Sequence, residues 1–237
     1  MGSAPGGVSA GELQRETAMP RATLYRLLAV LCENGFALPP GDGADRYRIG
    51  PEIARLAGAA DRPRNLVSAA RPVMERLARQ VRETVKLVVV DGTDALTCAV
   101  ADTGLEARVT ALVGTKVPLH IGASQRLLLA HAPATLWRRV LSQPLEQRTG
   151  RTLSDPARLR ASLDKLRRVD SEQTYGEGIQ GVGAAAALVR NAQDRVQAAL
   201  VAVYIHAGKS TRELQAVRAA VETAAQDLSG WDRDAAD

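Results

Sequence analysis

The stretch from Ser9 to Ile49 constrains the fold most, because two helices, a tight turn and a hairpin follow one another in it without slack. Ser9-Ala-Gly-Glu12 has the form of a capping box, in which Ser9 accepts from the third helical N–H and Glu12 reaches back to the Ser9 N–H. A short helix is therefore predicted over residues 10–17. Met19-Pro20 closes the turn after it, and the fixed φ and missing N–H of Pro20 suit the start of a second helix. Leu24, Leu27, Leu28 and Leu31 recur at helical spacing and are predicted to form one core-facing stripe. Asn34-Gly35 stops that helix near Glu33. Residues 36–38 and 46–49 read as two short strands around the turn-rich Pro39-Pro-Gly-Asp-Gly43, which makes a hairpin. Helix, turn, helix, hairpin is the order of a winged helix-turn-helix.

With the leucines turned inward, the second helix presents Arg21, Ala22, Thr23, Tyr25 and Arg26 outward. Such a face suits a major groove: Arg pairs bidentately with guanine, hydroxyls hold phosphate, and a bare Ala approaches a thymine methyl. On the hairpin, Arg46 and Arg48 alternate to one face around Tyr47, where they can track phosphate or the minor groove. The competing reading is an ordinary amphipathic helix with solvated arginines. Charge does not decide between them. The chain carries a net +5, but in residues 1–57 Arg15, Arg21, Arg26, Arg46, Arg48 and Arg55 are balanced by Glu12, Glu16, Glu33, Asp42, Asp45 and Glu52. The basic excess lies further on, in residues 62–82 and 138–168. Placement of charge, not its sum, carries the nucleic-acid argument.

Residues 1–60 are assigned to this head and 61–237 to a second, larger domain, with a helix over 52–60 and an interruption at Asp61-Arg-Pro-Arg64. Beyond it a long amphipathic helix is predicted over 66–82. Strands are predicted over 86–90, 95–101, 108–112, 116–118 and 196–205. Helices follow at 123–131, 133–141, 156–169 and 211–228. Such mixing implies a sheet with flanking helices. At 237 residues, either domain is long enough to bury a core. No apolar run approaches the roughly 18 residues of a membrane span, and the start lacks a basic region followed by an apolar stretch. Cys32 and Cys98 stand far apart with no partner motif, which points to a reducing, cytoplasmic setting.

The run from Pro20 to Phe36, Pro-Arg-Ala-Thr-Leu-Tyr-Arg-Leu-Leu-Ala-Val-Leu-Cys-Glu-Asn-Gly-Phe, followed by Tyr47-Arg-Ile-Gly-Pro51, resembles the IclR family of bacterial transcriptional regulators. The resemblance continues through Ala70-Arg-Pro, Glu83-Thr-Val, Pro118-Leu-His120, Leu127-Leu-Leu-Ala130 and the segment from Gly181 to Arg190. It implies an α+β chain: an N-terminal winged helix-turn-helix and linker helix, then a larger C-terminal GAF-like α/β domain that binds a small organic effector. It also implies homodimers or homotetramers on palindromic DNA operators, as repressor or activator. By resemblance the effector pocket is lined near Val109, Val117, His120, Ala123, Ser124, Thr174, Ala184, Val201 and Val203. The family's last-strand serines are here valines, so an apolar or aromatic ligand body is expected, with any polar end on Ser124, Thr174 or N–H groups of the Gly-rich loop. Two further departures stand out. The family has a helix before residue 10 for which this chain is expected to have no room, and its Gly-Lys after the conserved His is here Gln125-Arg126.

Gly176-Glu-Gly-Ile-Gln-Gly181 fits a dinucleotide-binding pattern, but that mechanism needs a strand before it and a helix N-terminus after it. Charged and polar residues precede it, and the resemblance makes the Ala-rich run after it a strand. His120, His131 and His206 stand at no metal-ligand spacing, and no nucleophile constellation is visible. No catalytic residue, metal or cofactor is therefore expected. The alternative is an enzyme or ligand-binding module built on the C-terminal domain, with a vestigial head.

Overall fold

The computed structural model describes residues 7–41, 46–53, 63–104 and 109–231, and the chain divides into two compact units, Met1–Arg64 and Asn65–Asp237. In the first unit, α1 (Ala10–Thr17) starts on the predicted capping box, with Ser9 accepting from the Glu12 N–H and Glu12 accepting from the Ser9 N–H. It ends on Ala18 in a left-handed conformation, and α2 (Arg21–Glu33) begins directly after Pro20. The hairpin pairs β1 (Ala37–Leu38) with β2 (Arg48–Ile49). Val8 adds a backbone bridge to Tyr47, an extra rung that the sequence did not signal. Gly50 lies so close to the chain crossing at Gly35 that a Cβ would stand 2.1 Å from the Gly35 carbonyl oxygen.

The leucine stripe is narrower than expected. Leu24 and Leu28 are buried against Ala10, Leu13 and Met19, whereas Leu27 is 45% exposed and Leu31 only half-buried. A pair at i and i+4 is enough to cover one short partner helix, and the neighbouring positions turn away from α1. Residues 51–53 are helical, and the rest of the helix predicted over 52–60, with part of the interruption at 61–64, lies outside the described residues.

All but the first two residues of α3 (Pro63–Val81) belong to the second unit, which is built on a six-stranded antiparallel sheet. In chain order its strands are β3 (Thr84–Asp91), β4 (Asp94–Ala101), β5 (Lys116–Pro118), β6 (Ser171–Tyr175), β7 (Val182–Arg190) and β8 (Val196–Ile205). Across the sheet they run β5-β4-β3-β8-β7-β6. The remaining helices are α4 (Ala123–Ala130), α5 (Ala134–Leu141), α6 (Pro156–Leu166) and α7 (Thr211–Leu228).

Alternation along the strands feeds two cores. Ala198, Leu200, Ala202 and Tyr204 of β8 pack with α3 and α7, together with Val85, Leu87, Ala185 and Ala187. Ala199, Val201 and Val203 face the other way, toward α4, α5 and α6, together with Val88, Ala186 and Leu188. A strand covered on both faces carries no polar side and reads as a continuous apolar run. The α4 helix is buried all round, Ser124, Gln125 and Arg126 included.

One expected strand is missing and one unexpected strand is present, each for a physical reason. Residues 109–112 form no strand: the Val109 carbonyl is taken by the Thr84 hydroxyl at 2.8 Å, and the chain rejoins the sheet only where the Gly114 N–H donates to the Thr97 carbonyl. Ser171–Tyr175, unmarked in the sequence, is the edge strand β6. Its polar side chains carry no alternation, and pairing with β7 decides its conformation.

Tyr204 is buried with its hydroxyl accepting from Gln173 Nε2 at 2.7 Å, and its ring fills the space beside Gly183 on the neighbouring strand. A Cβ on residue 183 would fall 2.2 Å from Tyr204 Cε2. Gly183→Ala is therefore expected to destabilise the second unit by about 1–3 kcal/mol through overpacking. Urea unfolding followed by circular dichroism checks it; an unchanged midpoint would show that Tyr204 swings aside freely.

Candidate functional site

A cavity of about 330 Å³ opens on the face of the sheet opposite α3 and α7. Its floor is Lys86 of β3, Val201 and Val203 of β8, Ala184 of β7 and Thr174 of β6. Its inner wall is the start of α4, Ala123 and Ser124, and its rim carries Val109, Leu112, Val117, Ile179 and Arg148. Register accounts for the floor. Lys86 pairs with Val201, Thr84 with Val203, and Val203 with Ala184, so residues two apart on adjacent strands come to one face. Of the nine residues expected around the pocket, Val109, Val117, Ala123, Ser124, Thr174, Ala184, Val201 and Val203 line this cavity.

His120 does not. Its Nε2 lies 2.9 Å from the Glu146 carbonyl, in a separate small hollow beside Pro118 and Val140. Gly122, with φ of +96°, turns the chain between His120 and Ala123, so the residues before and after it face different spaces. Of the expected polar donors, Thr174 lines the cavity, whereas the Ser124 hydroxyl is turned to Gln125 Oε1 at 2.8 Å; the Gly122 N–H nearby is taken by Glu177 Oε2 at 3.0 Å.

The Gly-rich loop is a β6–β7 connection followed by a strand, so no helix N-terminus stands where a pyrophosphate would need it. It is clamped from two sides. Arg126 donates to Glu177 Oε1 at 2.7 Å and lies 3.7 Å from Glu172, so the Gln125-Arg126 departure ties α4 to this loop. From the other side Thr149 donates to the Gly176 carbonyl and Thr152 to the Glu177 carbonyl, each at 2.6 Å. Breaking a buried pair such as Arg126–Glu177 by removing one partner typically costs about 3–5 kcal/mol, so the loop is held rather than free.

Sequence reasoning missed Lys86. It stands between Val85 and Leu87, both fully buried in the α3–α7 core, and therefore points to the cavity face. Burial pushes its ammonium pKa below the usual lysine value. The available signal was a lysine at an alternating position of an otherwise apolar central strand.

In the first unit Arg21, Ala22, Thr23, Tyr25 and Arg26 are all exposed along α2, with the Arg21 guanidinium 5.6 Å from the Tyr25 ring centroid. Arg48 is exposed on β2. Arg46 is engaged internally: it donates to the Gly7 carbonyl at 2.8 Å and to Glu12 Oε1 at 3.2 Å, pinning the hairpin to the start of α1. Among the described residues no group of His, Cys, Asp and Glu has metal-site geometry, and no helix is long and apolar enough to cross a membrane.

Comparison with known proteins gives these two units a family. The model of the IclR helix-turn-helix domain matches residues 1–38, and that of the bacterial transcriptional regulator IclR C-terminal domain matches residues 59–230. An HTH-type transcriptional regulator of Mycobacterium tuberculosis is 34% identical over 186 residues, covering 76% of this chain and 70% of that protein. The Pca regulon regulatory protein of Pseudomonas putida is 30% identical over 204 residues, covering 85% and 68%. A Silicibacter IclR regulator superposes with a TM-score of 0.80 at 27% identity, covering 94% of this chain and 87% of the other. An IclR homologue of Microbacterium hydrocarbonoxydans, solved with 4-hydroxybenzoate, gives 0.76 at 26% identity, covering 92% and 91%. These relatives are regulators of transcription and not enzymes, and the chain belongs to the IclR family of bacterial transcriptional regulators.

Proposed function

We propose that this DNA-binding regulator responds to a small organic effector with an apolar or aromatic body, seated in the cavity over β8. The observation that carries the reading is the part of the floor that β8 and β7 form: Val201 and Val203 offer no side-chain hydrogen bond, and Ala184 beside them adds only a methyl. A buried carboxylate or keto oxygen left unpaired against such a surface costs several kcal/mol, whereas an apolar ring gains about 25 cal/mol per Å² buried. At about 330 Å³ the cavity sits at the small end of ligand sites, which suits a compact molecule of one ring. The 4-hydroxybenzoate bound by the Microbacterium homologue is such a molecule.

Operator contact is assigned to the exposed side of α2, with Arg26 and Arg21 at base edges, Ala22 against a thymine methyl, and Thr23 and Tyr25 on phosphate. Arg48 is the phosphate contact of the hairpin. Arg46, half-exposed on the same hairpin, is the second, with its bonds to Gly7 and Glu12 fixing where its guanidinium stands. The protein acts in the cytoplasm as a homo-oligomer, dimer or tetramer, which is the assembly the family reading implies for a palindromic operator.

Two measurements follow from this reading. Arg26→Ala is expected to weaken specific operator binding by about 1–3 kcal/mol, while Arg48→Ala weakens all sequences alike and lowers the salt slope by about one. Gel shifts across a salt series separate the two effects, and unchanged binding in both variants would remove the assignment. Thermal-shift screening is expected to show stabilisation by single-ring aromatic metabolites and little from pyruvate. Strong stabilisation by pyruvate alone would mean that the valine floor does not select the ligand.

A further inference from the structure

We propose that Lys86 is the charge-reading residue of the cavity, so that the ligand is an organic acid whose carboxylate pairs with the Lys86 ammonium while its apolar body lies over Val201 and Val203. The inference rests on the cavity being the effector site.

Four observations carry it. First, Lys86 is on a central strand, flanked by β4 and β8, and its neighbours Val85 and Leu87 are buried in the opposite core. Its side chain therefore has no route to the outer surface of the sheet except through the cavity it lines. Second, among the described residues it has no ion pair and no hydrogen bond. Among the described residues that line the cavity the one carboxylate, Glu177, is engaged elsewhere, with Arg126 and the Gly122 N–H. Third, burial disfavours its charged form, and no neighbouring charge offsets that effect. A lone ammonium in an apolar, partly dried site is costly unless a partner arrives. Fourth, of the other groups that line the cavity, the Ser124 hydroxyl, the Gly122 N–H and the Arg148 guanidinium are already engaged, and the threonines, Thr174 among them, offer only uncharged hydroxyls. An incoming carboxylate is thus the group that the site lacks. The valines of β8 and the lysine of β3 divide the work: the former admit a ring, and the latter selects the acid over its neutral analogue. An ammonium is a point charge with rotatable donors, so it accepts a carboxylate without dictating the plane of the ring.

The test is calorimetric titration of the full-length protein with three matched pairs: benzoate and benzamide, phenylacetate and its amide, 3-phenylpropionate and its amide. The expected result is that an acid binds at least tenfold more tightly than its amide. Lys86→Met should abolish that preference, bringing acid and amide to within about threefold of each other, and Lys86→Arg should retain it. The unliganded Lys86→Met protein should melt no lower than wild type, since an unpaired ammonium is replaced by an apolar chain of similar length; Lys86→Gln serves if that variant fails to fold. An acid preference that survives in Lys86→Met or Lys86→Gln overturns the assignment. Amides that bind wild type as well as or better than acids overturn it too, while leaving the cavity reading intact. If neither acids nor amides bind wild type, the cavity reading falls and the assignment with it.

Discussion

The strand β8 is the element on which the rest of the second unit depends. Buried on both faces between β3 and β7, it hands alternate residues to two cores. Leu200 and Tyr204 anchor α3 and α7, and Ala199, Val201 and Val203 meet α4 and the cavity. A single residue of register slip would send each set to the wrong side. The same alternation that stabilises the fold therefore sets the chemistry of the cavity floor. In this chain Ala199, Val201 and Val203 are all apolar, so the part of the floor that β8 forms is apolar.

Polarity enters the cavity only from strands and loops that β8 does not control. Lys86 comes from β3, Thr174 from the edge strand β6, and Glu177 from the loop that Arg126 and Thr152 hold. This loop is held at Gly176 and Glu177 from two sides, so that part of the rim is preorganised and a ligand need not order it on binding. Preorganisation leaves more of the contact energy for discrimination between ligands. In the first unit the corresponding support is the Arg46 bridge to Glu12, which joins the hairpin to the helix that carries α2 on its buried side.

What could be read from the sequence was what local rules determine. The capping box at Ser9, the Pro20 start of α2 and the two-sided apolar run of β8 are each fixed by a few neighbouring residues, and each stands where it was expected. The residues that went astray are set by tertiary pairing. Ser171–Tyr175 is a strand because β7 offers it a partner, not because its side chains alternate. Leu27 is exposed because α1 covers only the Leu24–Leu28 pair. His120 left the expected lining because Gly122 turns the chain between it and Ala123. Nothing nearby in sequence reveals the reach of Arg46 to Glu12 and Gly7. Lys86 was overlooked for the opposite reason: its position in the alternation was visible, but not that the space in front of it was empty.

If the apolar floor of β8 selects the ligand, as proposed, replacing that floor changes what binds. Val201→Ser with Val203→Ser, measured by titration calorimetry below the melting temperature of the variant, should weaken single-ring aromatic ligands by about tenfold or more and strengthen pyruvate, because hydroxyls now stand where methyls stood. An unchanged order of ligand affinities in the double variant would contradict the account.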